Sequence, residues 1–183
     1  DLETSSTPLE IITSATPEKL PSLTDMFLGL HGGCFGEVCS LALIIGGIYL
    51  VVRKVISPAI PLAYIGTVAV FMLIAGRGDF EFVAYQLLGG GLLLGAIFMA
   101  TDYTTCPVSF KGKIIFGIGC GVITTVIRLF GSLPEGVSFS IILMNLLVPH
   151  IERLTTAKPF GTPKKDKKAE KAAKKAEKEA AKA

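Results

Sequence analysis

Two short windows near the start of the chain place a threonine hydroxyl where an enzyme could modify it. The first covers residues 1–8 (DLETSSTP) and the second covers residues 10–17 (EIITSATP). In each window an acidic residue stands six positions before a threonine, Thr7 or Thr16, and a proline follows that threonine directly. Proline biases the preceding residue toward extended backbone, and small neighbours leave the hydroxyl accessible. The pattern is typical of an exposed Ser/Thr-rich turn, and it could also serve covalent modification.

Three ionisable residues lie at the ends of apolar segments, where burying a charge is expensive. Arg128 lies two residues inside the end of its segment, and snorkelling to the interface would explain it. Asp102 ends another segment, either as a solvated helix end or as a ligand for a cation or cofactor. Glu37 begins a segment, where the helix dipole favours an acid by roughly 0.3–1 kcal/mol. All three are candidates for ion or cofactor handling, and helix-end roles are the alternative.

Five apolar intervals have lengths that match the roughly 20 residues needed to cross a bilayer. Charged or turn-forming residues end each one. Buried helices of a large soluble core could look similar singly, but five in succession favour a membrane bundle. We therefore predict an all-α membrane protein with about five transmembrane helices. The intervals are residues 36–52, 59–76, 83–101, 113–130 and 136–152.

Charge is distributed unevenly along the chain. Residues 38–160 carry only 13 charges in 123 positions, which argues against a soluble enzyme, whereas 161–183 hold nine lysines and four acids. We predict three regions: an external segment 1–35, a five-helix bundle 36–155 and a Lys/Ala/Glu-rich tail 156–183. No catalytic residue, metal-ligand spacing or phosphate-binding loop is recognisable, and we expect no nucleic-acid partner.

The basic residues near the predicted helix ends indicate an orientation. Alternation of five spans puts six of them on one side with the tail and three on the other. Because positive charge marks the cytoplasmic side, we predict that residues 1–35 lie outside and the tail inside. The six are Arg53, Lys54, Lys111, Lys113, Arg153 and Lys158, and the three are Lys19, Arg77 and Arg128.

Glycines are concentrated within two of the predicted spans. Small residues four apart let helices pack closely in lipid, and glycines can instead break helices around a cofactor or ion cavity. The spacing alone leaves both roles open. The glycines are Gly89, Gly90, Gly91 and Gly95 in the third span, and Gly117, Gly119 and Gly121 in the fourth.

The first window resembles the flavin-attachment motif of a known family. That family comprises the RnfD component of the Rnf complexes and the homologous NqrB component of sodium-pumping NADH:quinone reductase. Its pattern, Asp-x-x-Ser/Thr-small-Ala-Thr, often continued as Pro-Leu, is matched by the first window except at Ser6, where Ala is usual. The second window departs from it at Glu10 and Glu18. The matching residues of the first window are Asp1, Thr4, Thr7, Pro8 and Leu9.

Later blocks support the same resemblance, which covers about residues 1–155. They include Gly36-Glu37 before the first span, the run from Phe98 to Asp102, and the segment from Ile127 to Val137. The family fold implied is two inverted, urea-transporter-like repeats. The five spans would be the second repeat, and we expect that sequence precedes Asp1 in the natural protein.

The resemblance also implies a function. It predicts FMN joined by a phosphoester to Thr7, with Thr16 as the competing position, and with Thr4, Ser5, Ser6 and Asp1 beside it. The protein would relay electrons between reduced ferredoxin and NAD, coupled to Na+ or H+ movement, in a prokaryotic inner membrane. Implied partners are the other Rnf subunits (A, B, C, E and G) and a flavin transferase, and a second flavin such as riboflavin is left open. The alternatives are the NqrB component of the quinone reductase and a flavin-free channel or transporter of the urea type.

Overall fold

The fold is described here from a computed structural model of the chain. The structure describes residues 8–14, 20–33, 36–131 and 135–155, and within these ranges all regular structure is helical. The all-α prediction is therefore confirmed for the described residues. The helices are α1 (Pro8–Ser14), α2 (Leu23–Leu28), α3 (Ser40–Val52), α4 (Ala59–Ala75), α5 (Phe80–Leu88), α6 (Leu92–Met99), α7 (Phe110–Phe130) and α8 (Val137–Thr155).

Two of these helices, α7 and α8, are long and apolar enough to cross a membrane. Helices α5 and α6 qualify as a third only if the bent pair counts as one span. Helices α3 and α4 are apolar but have 13 and 17 residues, and at about 1.5 Å per residue the former reaches only about 20 Å. Each predicted interval thus contains a helix, and the described residues support two or three helices of spanning length.

The core lies where α4, α7 and α8 pack together. Helices α4 and α7 run in the same direction and approach closely at two glycines of α7. A Cβ added at Gly117 would lie 2.8 Å from the Cβ of Ala63 and 2.9 Å from the carbonyl oxygen of Ile60. A Cβ added at Gly121 would lie 2.6 Å from that of Thr67. These glycines therefore have the packing role that small residues play between membrane helices.

The close approach of α4 and α7 at Gly117 predicts that alanine destabilises the protein at this glycine but not at an unpacked one. Gly117→Ala should destabilise the protein by about 1–3 kcal/mol, because the new methyl group forces α4 and α7 apart. Gly66→Ala is the matched control, since nothing lies within 4 Å of its added Cβ and alanine favours helix by up to about 1 kcal/mol. Thermal unfolding in detergent measures both. Equal midpoints for the two variants would contradict the packing role.

Three buried hydroxyl groups join the same three helices. The Tyr64 hydroxyl lies 2.6 Å from that of Thr124 and 2.9 Å from that of Ser140. Thr124 also donates to Ser140 at 2.8 Å, and Ser140 donates to the carbonyl oxygen of Val137 at 2.7 Å. Each hydroxyl of this set has a partner, so the polar groups are satisfied inside an apolar core.

The third predicted span, 83–101, is not one continuous helix. It is divided into α5 and α6, which meet at an angle of 66°. Gly90 has φ +67°, a left-handed conformation that glycine adopts without steric cost. Phe82 of α5 contacts Gly76 after α4, and Gln86 contacts Arg128 near the end of α7. Both halves of α5 therefore lie near the same end of the bundle.

The predicted external segment contains two short helices rather than only exposed turns. Pro8, Leu9 and Ile11 of α1 are buried, so the expectation of an exposed turn is wrong for residues 8–14. Proline suits the first helical position because its missing N–H has no intrahelical partner there. Helix α2 is capped by Ser22, whose hydroxyl accepts from the backbone N–H of Asp25 at 3.2 Å.

Candidate functional site

The guanidinium of Arg128 lies inside the protein, against the C-terminal end of α5. Its side chain is only 7% exposed, so the prediction that it snorkels to the interface is wrong. Nη1 donates to the carbonyl oxygen of Gln86 at 2.5 Å, and Nη2 donates to that of Gly89 at 3.4 Å. The last carbonyls of a helix lack intrahelical partners, and Arg128 supplies donors for two of them.

Two carboxyl groups lie near Arg128, at the glycines between α5 and α6. Nε of Arg128 donates to the backbone carbonyl of Glu135 at 3.3 Å. A Cβ on Gly90 would lie 3.3 Å from Nη2 of Arg128 and 3.4 Å from Oε1 of Glu135, and one on Gly91 would lie 2.9 Å from Oε1 of Glu37. The glycines leave room for these groups, and we call Arg128, Glu37 and Glu135 the Arg128 cluster.

Glu37 precedes α3 but does not cap it. The N-cap of α3 is Cys39, which makes no side-chain capping bond, and the Glu37 carboxyl contacts Gly91 and Glu135 instead. Burial raises the pKa of Glu37, the neighbouring Glu135 carboxylate and its hydrogen bond raise it further, and the Arg128 charge opposes this. A raised pKa favours the protonated form. The cluster can thus hold a proton between two carboxyl groups beside a fixed cation.

The raised pKa of Glu37 predicts a pH-dependent effect of Glu37→Gln. Folding favours protonated Glu37, so this stability is full below its ordinary pKa of 4.5 and is lost as pH rises through the folded-state pKa. Glutamine resembles the protonated acid. The variant should therefore have a higher thermal unfolding midpoint than wild type at high pH, and the same midpoint as wild type near pH 4.

Thermal unfolding in detergent from pH 4 to 8 measures this difference. Glu81→Gln, the same change at an exposed position of α5, is the control and should follow wild type throughout. A constant difference between Glu37→Gln and wild type across the range would contradict the shared-proton arrangement.

A small cavity of about 30 Å³ lies beside the cluster. Its lining includes Pro8, His31, Glu37, Gly90 and Glu135, and Nδ1 of His31 is buried without a hydrogen-bond partner among the described residues. This volume suits one water molecule and is far too small for a flavin ring. FMN attached at Thr7 would therefore have its ring outside this cavity.

Most of the predicted attachment residues lie outside the described residues, namely Asp1, Thr4, Ser5, Ser6, Thr7 and Thr16. Pro8 is described, and its buried side chain lines the small cavity. The residue that follows Thr7 in the chain is therefore held at the Arg128 cluster.

Asp102 is not part of this cluster. It begins the connection from α6 to α7, and α6 separates it from Gly91, which contacts Glu37. Its carboxylate accepts from the Thr104 hydroxyl at 2.5 Å, the Thr104 backbone N–H at 3.3 Å and the Thr105 hydroxyl at 3.3 Å. These bonds, led by the Thr104 hydroxyl, lower the pKa of Asp102. It therefore carries a negative charge that local turn hydroxyls already bind.

Two members of the site are missed by reasoning from sequence. Glu135 stands out there only as part of the turn that ends a span, and Gln86 has no distinguishing feature. The fixed charge of Arg128 is the available signal, because an arginine inside an apolar segment requires acceptors nearby. Two of its carbonyl partners belong to α5 and its C-cap, 42 residues away for Gln86, and sequence spacing cannot identify them.

These features define a class of protein. Apolar helices of spanning length, a helix broken at glycines and charged groups gathered at the break are typical of membrane transport proteins. The chain matches the model of the NQR2, RnfD, RnfE family over residues 1–161, and it belongs to that family.

Individual relatives agree with this assignment. The chain is 46% identical over 172 residues to the D subunit of the Na(+)-translocating ferredoxin:NAD(+) oxidoreductase complex of Acetobacterium woodii, covering 93% of this chain and 53% of the relative. It is 44% identical over 140 residues to the D subunit of the proton-translocating ferredoxin:NAD(+) oxidoreductase complex of Clostridium ljungdahlii, covering 75% and 42%. The chain spans about half the length of the curated relatives it matches.

Proposed function

We propose that the chain forms part of the D subunit of an ion-translocating ferredoxin:NAD oxidoreductase complex. The proposal is supported by family membership and by relatives whose names describe such subunits. These names favour ferredoxin and NAD over quinone as the electron partners of the complex. The chain contributes to electron transfer coupled to ion movement together with the other Rnf subunits (A, B, C, E and G), and it has no complete active site of its own.

The chain carries FMN on Thr7 in this proposal. The supporting observation is that Pro8, directly after Thr7, is buried at the small cavity beside Glu37, Gly90 and Glu135. That packing fixes the residue that directly follows Thr7 against the bundle. The Thr7 hydroxyl holds the phosphate as an ester, with the hydroxyls of Thr4, Ser5 and Ser6 close in sequence. FMN supplies one-electron transfer when bound, and the protein contributes its placement and the surrounding charge.

Mass spectrometry of a peptide covering residues 1–19 tests this attachment and identifies the modified residue together. The expected result is one FMN joined to Thr7 through its phosphate, installed by a flavin transferase. FMN on Thr16 would move the site to the second window. An unmodified peptide from the assembled complex would contradict covalent attachment and favour a flavin-free channel or transporter.

We further propose that the chain is multi-pass, with the Arg128 cluster at the external end and the tail in the cytoplasm. In the five-span arrangement, the short helices α3 and α4 would cross the membrane where the bilayer is locally thinned. The five spans would form the second of two inverted repeats. Basic residue counts support this orientation. A cysteine introduced at residue 20 should react with an impermeant probe only from outside sealed vesicles, and reaction only from the cytoplasmic side would reverse the orientation.

Asp102→Asn is expected to slow ion-coupled turnover severalfold while leaving covalent flavin in place, if the Asp102 charge handles the transported ion. Asparagine retains the side-chain oxygen that accepts from Thr104 but removes the negative charge. Turnover is measured in vesicles beside the flavin content of the same preparation. Thr105→Val, which removes only one 3.3 Å bond to Asp102, is the control. Wild-type turnover of Asp102→Asn would leave Asp102 with a helix-end role alone.

A further inference from the structure

A large apolar groove separates α3 from α4. Its volume is about 420 Å³, and nearly all of its lining surface is apolar. Helix α3 packs on α6, where Gly46 and Gly47 contact Phe98 and Ile97, whereas α4 packs on α7. Consecutive helices are therefore splayed, and α6 forms the floor between them. The lining includes Ile44, Ile48, Val52, Leu62, Leu93 and Ile97.

Two basic residues stand at one end of this groove. Val52, Ile56 and Pro58 line the groove, so the connection from α3 to α4 closes that end. Arg53 and Lys54 lie within this connection and are exposed. Neither side chain makes an ion pair or hydrogen bond with any of the described residues.

The backbone at Lys54 is unusual for a lysine. Lys54 has φ +56°, and the Val55 N–H donates to the Leu50 carbonyl oxygen at 3.0 Å, which is a helix ending that glycine normally provides. A glycine at this position would end the helix with the same hydrogen bond and without the strain of a left-handed lysine. Lys54 therefore places a basic side chain at a position where glycine would avoid the backbone cost.

We propose that the groove binds one acyl chain of an anionic phospholipid, whose phosphate is held by Arg53 and Lys54. The apolar lining matches the acyl chain, and the two unpaired cations at its end match the headgroup charge. Basic pockets between membrane helices bind anionic headgroups by the same physics. This site is independent of flavin attachment and of the electron partners proposed above.

The volume of the groove favours a lipid over another helix. About 420 Å³ is close to the volume of one long acyl chain. A transmembrane helix, about 30 Å long and about 10–12 Å across, occupies several times as much. A helix covering the groove would also bury Arg53 and Lys54 away from water unless it supplied acidic partners.

Tryptophan quenching by brominated lipids tests the proposal. These 183 residues contain no tryptophan, so Ile48→Trp gives this chain a single tryptophan at an exposed position in the groove. Leu146→Trp, on the exposed face of α8, reports on ordinary surrounding lipid. Each variant of this chain is placed in phosphatidylcholine vesicles that contain brominated phosphatidylglycerol or brominated phosphatidylcholine at equal mole fractions.

The expected result is a preference for phosphatidylglycerol in the Ile48→Trp protein, by about fivefold for each basic residue near the headgroup, and none in the Leu146→Trp protein. Adding Arg53→Gln and Lys54→Gly to the Ile48→Trp protein should abolish the preference, and glycine at 54 also relieves the backbone strain. Lys111→Gln with Lys113→Gln should preserve it.

Equal quenching of Ile48→Trp by the two lipids would overturn the proposal, because the groove would then hold lipid without selecting its headgroup. Weak quenching of Ile48→Trp by both lipids, with normal quenching of Leu146→Trp, would also overturn it. That result would mean that another polypeptide covers the groove. Loss of preference after Lys111→Gln with Lys113→Gln would show that the charge of the whole membrane face, and not this site, attracts the lipid.

Discussion

Thr7→Ala is expected to abolish the flavin fluorescence of the denatured protein in a gel. A phosphoester survives denaturation, whereas non-covalent flavin is lost, so fluorescence in the gel reports covalent attachment alone. Thr7 has an aspartate six positions before it and Pro-Leu after it. Pro8 and Leu9 are buried at the start of α1, which fixes the chain immediately after the proposed attachment residue.

Thr16→Ala is the matched control, because it removes the same hydroxyl from the same kind of Thr-Pro pair. Fluorescence should remain at the wild-type level in this variant. Loss of fluorescence only in Thr16→Ala would transfer the cofactor to Thr16. Fluorescence that survives both substitutions together would eliminate attachment to either threonine.

Arg128→Leu is expected to destabilise the protein by about 2–6 kcal/mol, because leaving a buried carbonyl group without its donor costs about 1–3 kcal/mol and two such groups are affected. The substitution leaves the carbonyl groups of Gln86 and Gly89 without the guanidinium donors. It also leaves Glu37 and Glu135 without their neighbouring cation. The midpoint of thermal unfolding in detergent should fall by roughly 4–24 °C, at about 2–4 °C per kcal/mol.

Arg153→Leu provides the control, since Arg153 is an exposed residue of α8 and its loss should cost less than about 0.5 kcal/mol. Arg128→Lys should restore only part of the stability, because an ammonium group cannot reproduce the planar set of donors. If Arg128→Leu unfolds at the same temperature as Arg153→Leu, the guanidinium does not hold α5 in place.

The positions of the long helices could be predicted from sequence. Helices α7 and α8 lie close to the intervals 113–130 and 136–152, because uncharged stretches between turn-forming residues leave little choice in a membrane protein. The break between α5 and α6 could not be located in this way. The hydropathy of the segment is the same whether Gly90 adopts a helical or a left-handed backbone. The backbone conformation of Gly90 depends instead on the packing of Leu9, Arg128 and Glu135 around it.

The site was only partly predictable for a similar reason. Composition identified Arg128 and Glu37 as costly charges, but the groups that offset their cost come from distant parts of the chain. Helix α1 was missed because its Ser/Thr/Pro-rich surroundings are typical of turns, and the burial of Leu9 and Ile11 provides the stabilisation that local sequence lacks. Tertiary contacts therefore determined the helical structure of residues 8–14 and the partners of Arg128 and Glu37, which local sequence preferences did not specify.

The second part of helix α6, Gly95–Met99, is a π-helical turn, and this has a consequence for how the region can change in length. Its Ala100 N–H donates to the Gly95 carbonyl oxygen at 2.7 Å, so the turn holds one residue more than an α-helical turn. The wider turn brings consecutive side chains closer around the axis, which lets both Ile97 and Phe98 face the glycines of α3. Deleting one residue here would return the turn to α-helical geometry and keep the flanking residues in register, so this turn is the place where α6 could lose a residue without redirecting the Asp102 carboxylate.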